Sequence, residues 1–354
     1  MNEQGKKLRW GQFSLIFGFI HLLIDLVTVS SAFSVYRVYH VPLLLGISTI
    51  VFYDVLAFAG QSIIGWFSDR KATYHSVALA GIVMVLASVP LLSVLPVAAL
   101  VLTGVGNAFY HVGAGALSLN VEKGRARVPG LFVAPGAIGL GVGTLLGKSG
   151  QYYPLLFIAA LVIAFFFVAQ TSVPDIRRPE KKLLLAVPHP VWVVFALLVS
   201  IAIRALVGFG GGTGCKKTMT LKLALMTVAF LGKGIGGVLS DRIGWIRCSV
   251  GALLISAPLI AFGGTAPVSL TVGLFFFQMT MPVTLVAVNE VMPGRSGLAF
   301  GLCCLALLCG SLLAFSSTVQ SIYSSSFFFA MILVSAGLVF ISLRHLQKKI
   351  PMKF

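Results

Sequence analysis

The stretch GWFSDRK, Gly65 to Lys71, returns as GVLSDRIG, Gly237 to Gly244, at a constant offset of 172 residues in a chain of 354. The register extends upstream. Phe58, Gly60, Ile63, Gly65, Ser68, Asp69 and Arg70 match Phe230, Gly232, Ile235, Gly237, Ser240, Asp241 and Arg242 one for one. Both copies close an apolar block and enter a short polar loop. A second echo, Gly143-Thr144-Leu145-Leu146 against Gly310-Ser311-Leu312-Leu313, falls in a later apolar block of each half. The chain is therefore two copies of one unit, and the blocks around the repeat define that unit.

Those blocks are long and apolar. The chain is 58% hydrophobic and only 10% charged, with a mean hydropathy of +1.01, where a soluble domain carries about 25% charged residues. No water-soluble fold of this size hides so much apolar surface. Blocks of about 20 residues match a helix crossing roughly 30 Å of hydrocarbon. Twelve spans are expected, near 13–36, 42–66, 76–95, 97–119, 130–149, 153–173, 190–211, 219–239, 246–264, 267–290, 296–316 and 322–343. The run after Lys6, Lys7 and Arg9 continues to about Tyr36, too long for a signal peptide, and reads as the first span. The longest polar connection divides the spans six and six: bundle 1–173, linker 174–189, bundle 190–354.

The 26 Lys and Arg against 9 Asp and Glu would suggest nucleic acid in a soluble protein. Here they sit in short loops and report topology instead. With the N-terminus in the cytoplasm, nineteen fall inside and five outside, so both termini are expected to be cytoplasmic, in a multi-pass protein of the cell membrane. Lys216, Lys217 and Lys222 are the discordant outer cluster. Cys215, Cys248, Cys303, Cys304 and Cys309 lack metal-ligand or CxxC spacing and read as helix-packing residues.

Parallel six-helix repeats build one large class of secondary transporters, with the substrate between the halves near the midplane. The two loop stretches resemble the signature of the major facilitator superfamily, G-x-x-x-D-R followed by a Gly and basic residues. Gly65, Asp69 and Arg70 carry it in the first copy and Gly237, Asp241 and Arg242 in the second, which also keeps Gly244; Ala72 stands at that place in the first. The resemblance implies an all-α fold of twelve transmembrane helices in two six-helix repeats, a monomer, and a gating role for the two motifs. The segment from Gly104 to Asn120, with Gly104, Gly106, Ala108, Tyr110 and His111, is similar to span four of the fosmidomycin-resistance type of exporter. Pro135 and Gly139 in span five resemble the antiporter motif of drug exporters.

Ionisable groups inside hydrocarbon cost roughly 2.5–3.5 kcal/mol each on insertion scales, so they need a reason to be there. His21 and Asp25 are four apart on span one, within a stripe of Ser14, Gly18, His21, Asp25 and Thr28 expected to face the interior. A carboxylate beside a histidine suits proton coupling or a cationic substrate. Asp54 falls in the outer half of span two. Asn107 and His111 share a face of span four. Arg204 in span seven reads three ways: an anion site, a partner for Asp25 or Asp54, or a side chain snorkelling outward. Lys233 in span eight reads as a functional group or as a snorkelling one.

The Gly208–Gly214 stretch lacks the G-K-[ST] ending of a phosphate loop. No nucleophile array has motif spacing, so no enzyme activity, cofactor or metal is expected; a metal at His21, Asp25 and His111 is geometrically conceivable. The expectation is a proton-coupled secondary transporter exporting a small drug-like or metabolite molecule, with protons, a small-molecule substrate and the lipid bilayer as partners and no nucleic acid. The alternatives are uptake of an organic anion at Arg204, Lys233 and His111, and a transport-dead fold serving as a sensor.

Overall fold

The computed structural model describes residues 10–37, 48–173, 176, 189–212, 215–216 and 218–347. Nearly all of the linker 174–189 lies outside these, as do the basic residues before Trp10 and after Gln347, so the orientation expectation rests partly on undescribed residues. Among the described residues all regular structure is helical. The helices are α1 Trp10–Arg37, α2 Thr49–Ser68, α3 Tyr74–Leu91, α4 Pro96–Val121, α5 Arg127–Ser149, α6 Pro154–Gln170, α7 Pro190–Gly210, α8 Met219–Ile243, α9 Trp245–Ala261, α10 Pro267–Val291, α11 Ser296–Ala314 and α12 Ser325–Gln347. Ten are long and apolar enough to cross a membrane; α6 and α9 are apolar but shorter, 17 residues each. Leu15, Leu155 and Val191 are more than 70% exposed, an outer surface suited to hydrocarbon.

Local chemistry sets the helix ends. Pro96, Pro154, Pro190 and Pro267 occupy first turns, where a missing N–H costs nothing. Thr218 caps α8 by accepting from the Leu221 N–H at 3.2 Å. Two departures from the expected spans have physical causes. The tenth block is not one helix: it breaks at Met279 and Thr280, and Pro282, which has no N–H to give, opens the second piece, Met281–Val291. In α2, Val55–Ala59 is a π-turn directly after Asp54. The connection between the eleventh and twelfth blocks holds a separate short helix, Ser317–Gln320, before α12.

The packing repeats with the sequence. In the first half α1 packs on α5 and α3 on α4 and α6; in the second α7 packs on α11 and α9 on α10 and α12. The Gly143 and Gly310 echo has its reason here. A Cβ on Gly143 would collide with the Leu26 carbonyl of α1, and one on Gly310 with the Ala202 carbonyl of α7. Small residues let membrane helices approach backbone to backbone. Across the middle, α5 packs on α8 and α2 on α11, again a matched pair.

Candidate functional site

The stripe on α1 faces inward, as its spacing requires: Ser14, Gly18, His21 and Thr28 are buried and Asp25 nearly so. α4 brings Asn107 and His111 against it, also buried. His21 Nε2 lies 2.8 Å from His111 Nε2. Asp25 reaches both, Oδ2 at 3.2 Å from His21 Nε2 and Oδ1 at 3.4 Å from His111 Nε2. Asn107 Nδ2 donates to Asp25 Oδ1 at 3.2 Å and to Thr28 Oγ1 at 3.1 Å, and the Tyr53 hydroxyl donates to the same Thr28 oxygen at 2.9 Å. Helix α5 closes the third side because Gly136 has no side chain; a Cβ there would strike His21 Nε2 and Asp25 Oδ2.

The outer ring nitrogens fix the proton count. His21 Nδ1 is 2.9 Å from the Phe132 carbonyl, and His111 Nδ1 is 2.9 Å from the Asn107 carbonyl. A carbonyl only accepts, so both Nδ1 atoms carry hydrogens. Two Nε2 lone pairs and a carboxylate then face one another with no donor among them. One proton between the imidazoles, with Asp25 as counter-ion, satisfies all three. The same three residues offer the ligand atoms for a metal, all within 4.8 Å of one another, and a ring N–H held by a carbonyl also suits a metal-bound histidine. Two nitrogens about 2.0–2.1 Å from one tetrahedral ion would be about 3.3 Å apart. The observed 2.8 Å is the length of an N–H···N bond, and the proton fits without rearrangement.

Arg204 is buried in the second half. It pairs with neither Asp25 nor Asp54, and it does not snorkel. Nε donates to the Ser200 carbonyl one turn back, at 3.4 Å, which turns the guanidinium away from the nearer helix end. Nη1 donates to Thr280 Oγ1 and Nη2 to Thr284 Oγ1, the latter at 2.8 Å. Lys233 is half-buried, near Asp25 and Cys304. Asp54 makes no hydrogen bond or ion pair among the described residues and is not drawn into the cluster. Thr280 and Thr284 carry no charge and so gave no sequence signal. Phe132 contributes its backbone carbonyl and a ring whose centre lies 4.7 Å from that of His21.

The repeated motifs meet at one end of the bundle. Asp69, at the end of α2, accepts the N–H groups of Gly297 and Leu298 at the start of α11, at 2.8 and 2.9 Å. Asp241, near the end of α8, accepts those of Ala126 and Arg127 at the start of α5, at 2.9 and 3.0 Å. Each carboxylate thus caps a helix of the opposite half, where the helix dipole favours negative charge. The glycine four residues earlier permits this. A Cβ on Gly65 would hit the Gly297 backbone, and one on Gly237 the Ala126 carbonyl. Tyr74 donates to Asp69 Oδ1 at 2.6 Å, a partner the motif did not reveal. Burial pushes the Asp69 carboxyl above its ordinary value, against the pull of Tyr74, the two N–H groups and Arg295. Arg70 stacks on the Trp66 ring, 3.7 Å from its centre; Arg242 is exposed and joins no ion pair among the described residues. Gly244 has φ +97°, and Ala72, at the matching place, has φ +53°. The left-handed backbone explains why glycine suits this position.

By sequence the chain matches no family model and no curated protein. By structure it is similar to a variant of the E. coli fucose:proton symporter FucP, with TM-score 0.70 and 12% identity over 94% of this chain and 97% of that one. The fold is that of the major facilitator transporters. A crystal structure of the major facilitator superfamily transporter FucP in the outward conformation matches at TM-score 0.64 and 13% identity over 93% of this chain and 99% of that one. The human organic anion transporter MFSD10 (TETRAN) matches at 0.61 and 16% over 96% of this chain and all of the other.

Proposed function

We propose that this chain is a proton-coupled secondary transporter in which His21, Asp25 and His111 form a one-proton site. The observation that carries the reading is the pair of Nδ1–H bonds to backbone carbonyls, which leaves the inner nitrogens and Asp25 short of one proton. Both similar proteins named by cargo are transporters, one of them proton-linked. Lys233, Cys304, Tyr53 and Tyr110 are the other titratable groups within the field of Asp25. Lys233, on the opposite half, becomes the natural partner for the carboxylate when the proton leaves.

In this proposal α6 and α9 complete twelve spans, both termini are cytoplasmic, the halves are 1–173 and 190–354, and the monomer works in the cell membrane. The crossed caps of Asp69 and Asp241 close the cytoplasmic end, and releasing them exposes the site to that side. Export, suggested by the resemblance of the Gly104–Asn120 segment, belongs to the proposal; accumulation measured in cells with and without the protein tests it. Coupling is tested by pH-sensitive dye inside sealed proteoliposomes: substrate added to the wild type moves protons, and a transported substrate that moves none would refute the assignment.

A further inference from the structure

The guanidinium of Arg204 is more than nine-tenths buried, yet no carboxylate neutralises it among the described residues. Three of its five N–H groups are bonded, all to neutral oxygens: Ser200 O, Thr280 Oγ1 and Thr284 Oγ1. A lone cation at membrane depth is expensive and marks a functional site. The side chain also aims at an unusual place. Thr280 lies in the break of α10, and the eleven-residue piece Met281–Val291 starts beside it, so its positive dipole end adds to the guanidinium charge. Broken helices whose ends face a site are a recurrent feature of transporter substrate sites. Both threonine hydroxyls back-bond to carbonyls of their own helix, Thr280 to Phe277 at 3.0 Å and Thr284 to Thr280 at 3.2 Å. A hydroxyl rotor is free to swing and donate to an incoming acceptor instead.

We propose that Arg204, Thr280 and Thr284 form an anion subsite that takes the carboxylate or phosphonate group of a small organic substrate. The planar fork offers parallel N–H donors to two oxygens of such a group, and the anion supplies the missing charge. On α11 the consecutive residues Cys303 and Cys304 lie near Arg204 and near Lys233 and Asp25 respectively. The inference deepens the coupled-transport reading, on which it rests.

The test is binding by the purified full chain in detergent, followed as thermal stabilisation by benzoate and by phenylphosphonate, with benzamide as the neutral control of similar shape. Stabilisation by either anion and not by benzamide is expected, the stronger arm naming the group. Arg204→Lys keeps the charge but loses the fork and should weaken the response about tenfold; Arg204→Gln should abolish it. Thr284→Val should weaken the anion response, and a wild-type circular dichroism spectrum with a single cooperative melt guards against a folding defect, whatever the lost Arg204 bond does to the unliganded melting temperature. An anion response that survives in Arg204→Gln, an equal response to benzamide, or no response of the wild type to either anion would overturn the proposal. Anion binding with no proton movement in proteoliposomes would refute the coupling reading and leave the subsite standing.

Discussion

Asp25 accepts from Asn107 and faces two imidazoles whose inner nitrogens lie 2.8 Å apart, and in the proposed site it is the counter-ion of the proton they share. Its replacement by Asn leaves the shape but removes the counter-ion. An unpaired charge at this depth costs roughly 2.5–3.5 kcal/mol, so Asp25→Asn should lower substrate-driven proton flux by about 100-fold with folding retained. Flux within about threefold of wild type would show that the carboxylate is not the counter-ion. The residue scale was partly legible. His21 and Asp25 declare themselves by spacing, and His111 by being ionisable within an apolar block. The Phe132 and Asn107 carbonyls that fix the tautomers have no sequence signature, because any residue supplies a carbonyl. Asp54 shows the converse: it is ionisable and in a span, yet joins no network among the described residues. Ala72 makes a separate prediction. Its φ of +53° is a left-handed conformation that costs a non-glycine residue roughly 1 kcal/mol. Ala72→Gly should therefore raise the unfolding temperature in detergent, and a lowered one would contradict the strain.

At the scale of elements, the two motifs are crossed helix caps. Removing one cap costs about 1 kcal/mol, about a fivefold change in the closed-to-open ratio. Asp69→Ala and Asp241→Ala should each shift the distance between spin labels at Lys123 and Arg247 toward longer values, in a Cys309→Ser background, and the double variant further. An unchanged distribution in both would mean that the caps do not hold this end shut. Burial raises the Asp69 carboxyl in the closed end, while opening returns it to water and its ordinary value. The closed form therefore binds the proton more tightly, and closure gains as pH falls toward the raised value. The closed fraction should rise between about pH 7 and about pH 5 by more in the wild type than in Asp69→Asn; equal responses would remove Asp69 from the effect. Tyr74 and Arg295, the other groups facing this carboxyl, are common to both proteins. The motif glycines and aspartates were visible as a repeat, but their partners at Gly297 and Ala126 were not, since a backbone N–H looks the same in any residue. The break in α10 was signalled weakly by Pro282, and the π-turn after Asp54 not at all.

At the scale of the molecule, length, apolar blocks and the offset of 172 residues sufficed for an all-helical duplicated membrane fold, because a bilayer permits little else for such a chain. The matched contacts, α1 on α5 with α7 on α11 and α5 on α8 with α2 on α11, follow from glycines at corresponding places. In the proposed mechanism this duplicated fold moves one proton through the His21, Asp25 and His111 site as it carries substrate. The most direct measurement is proton movement into sealed proteoliposomes during exposure to a panel of lipophilic cations, small carboxylates and phosphonates, with wild type and Asp25→Asn compared side by side. At least one compound is expected to drive protons across wild-type vesicles, and none to do so with the variant. Equal proton movement by the two proteins, or transport by the wild type without any, would contradict the mechanism.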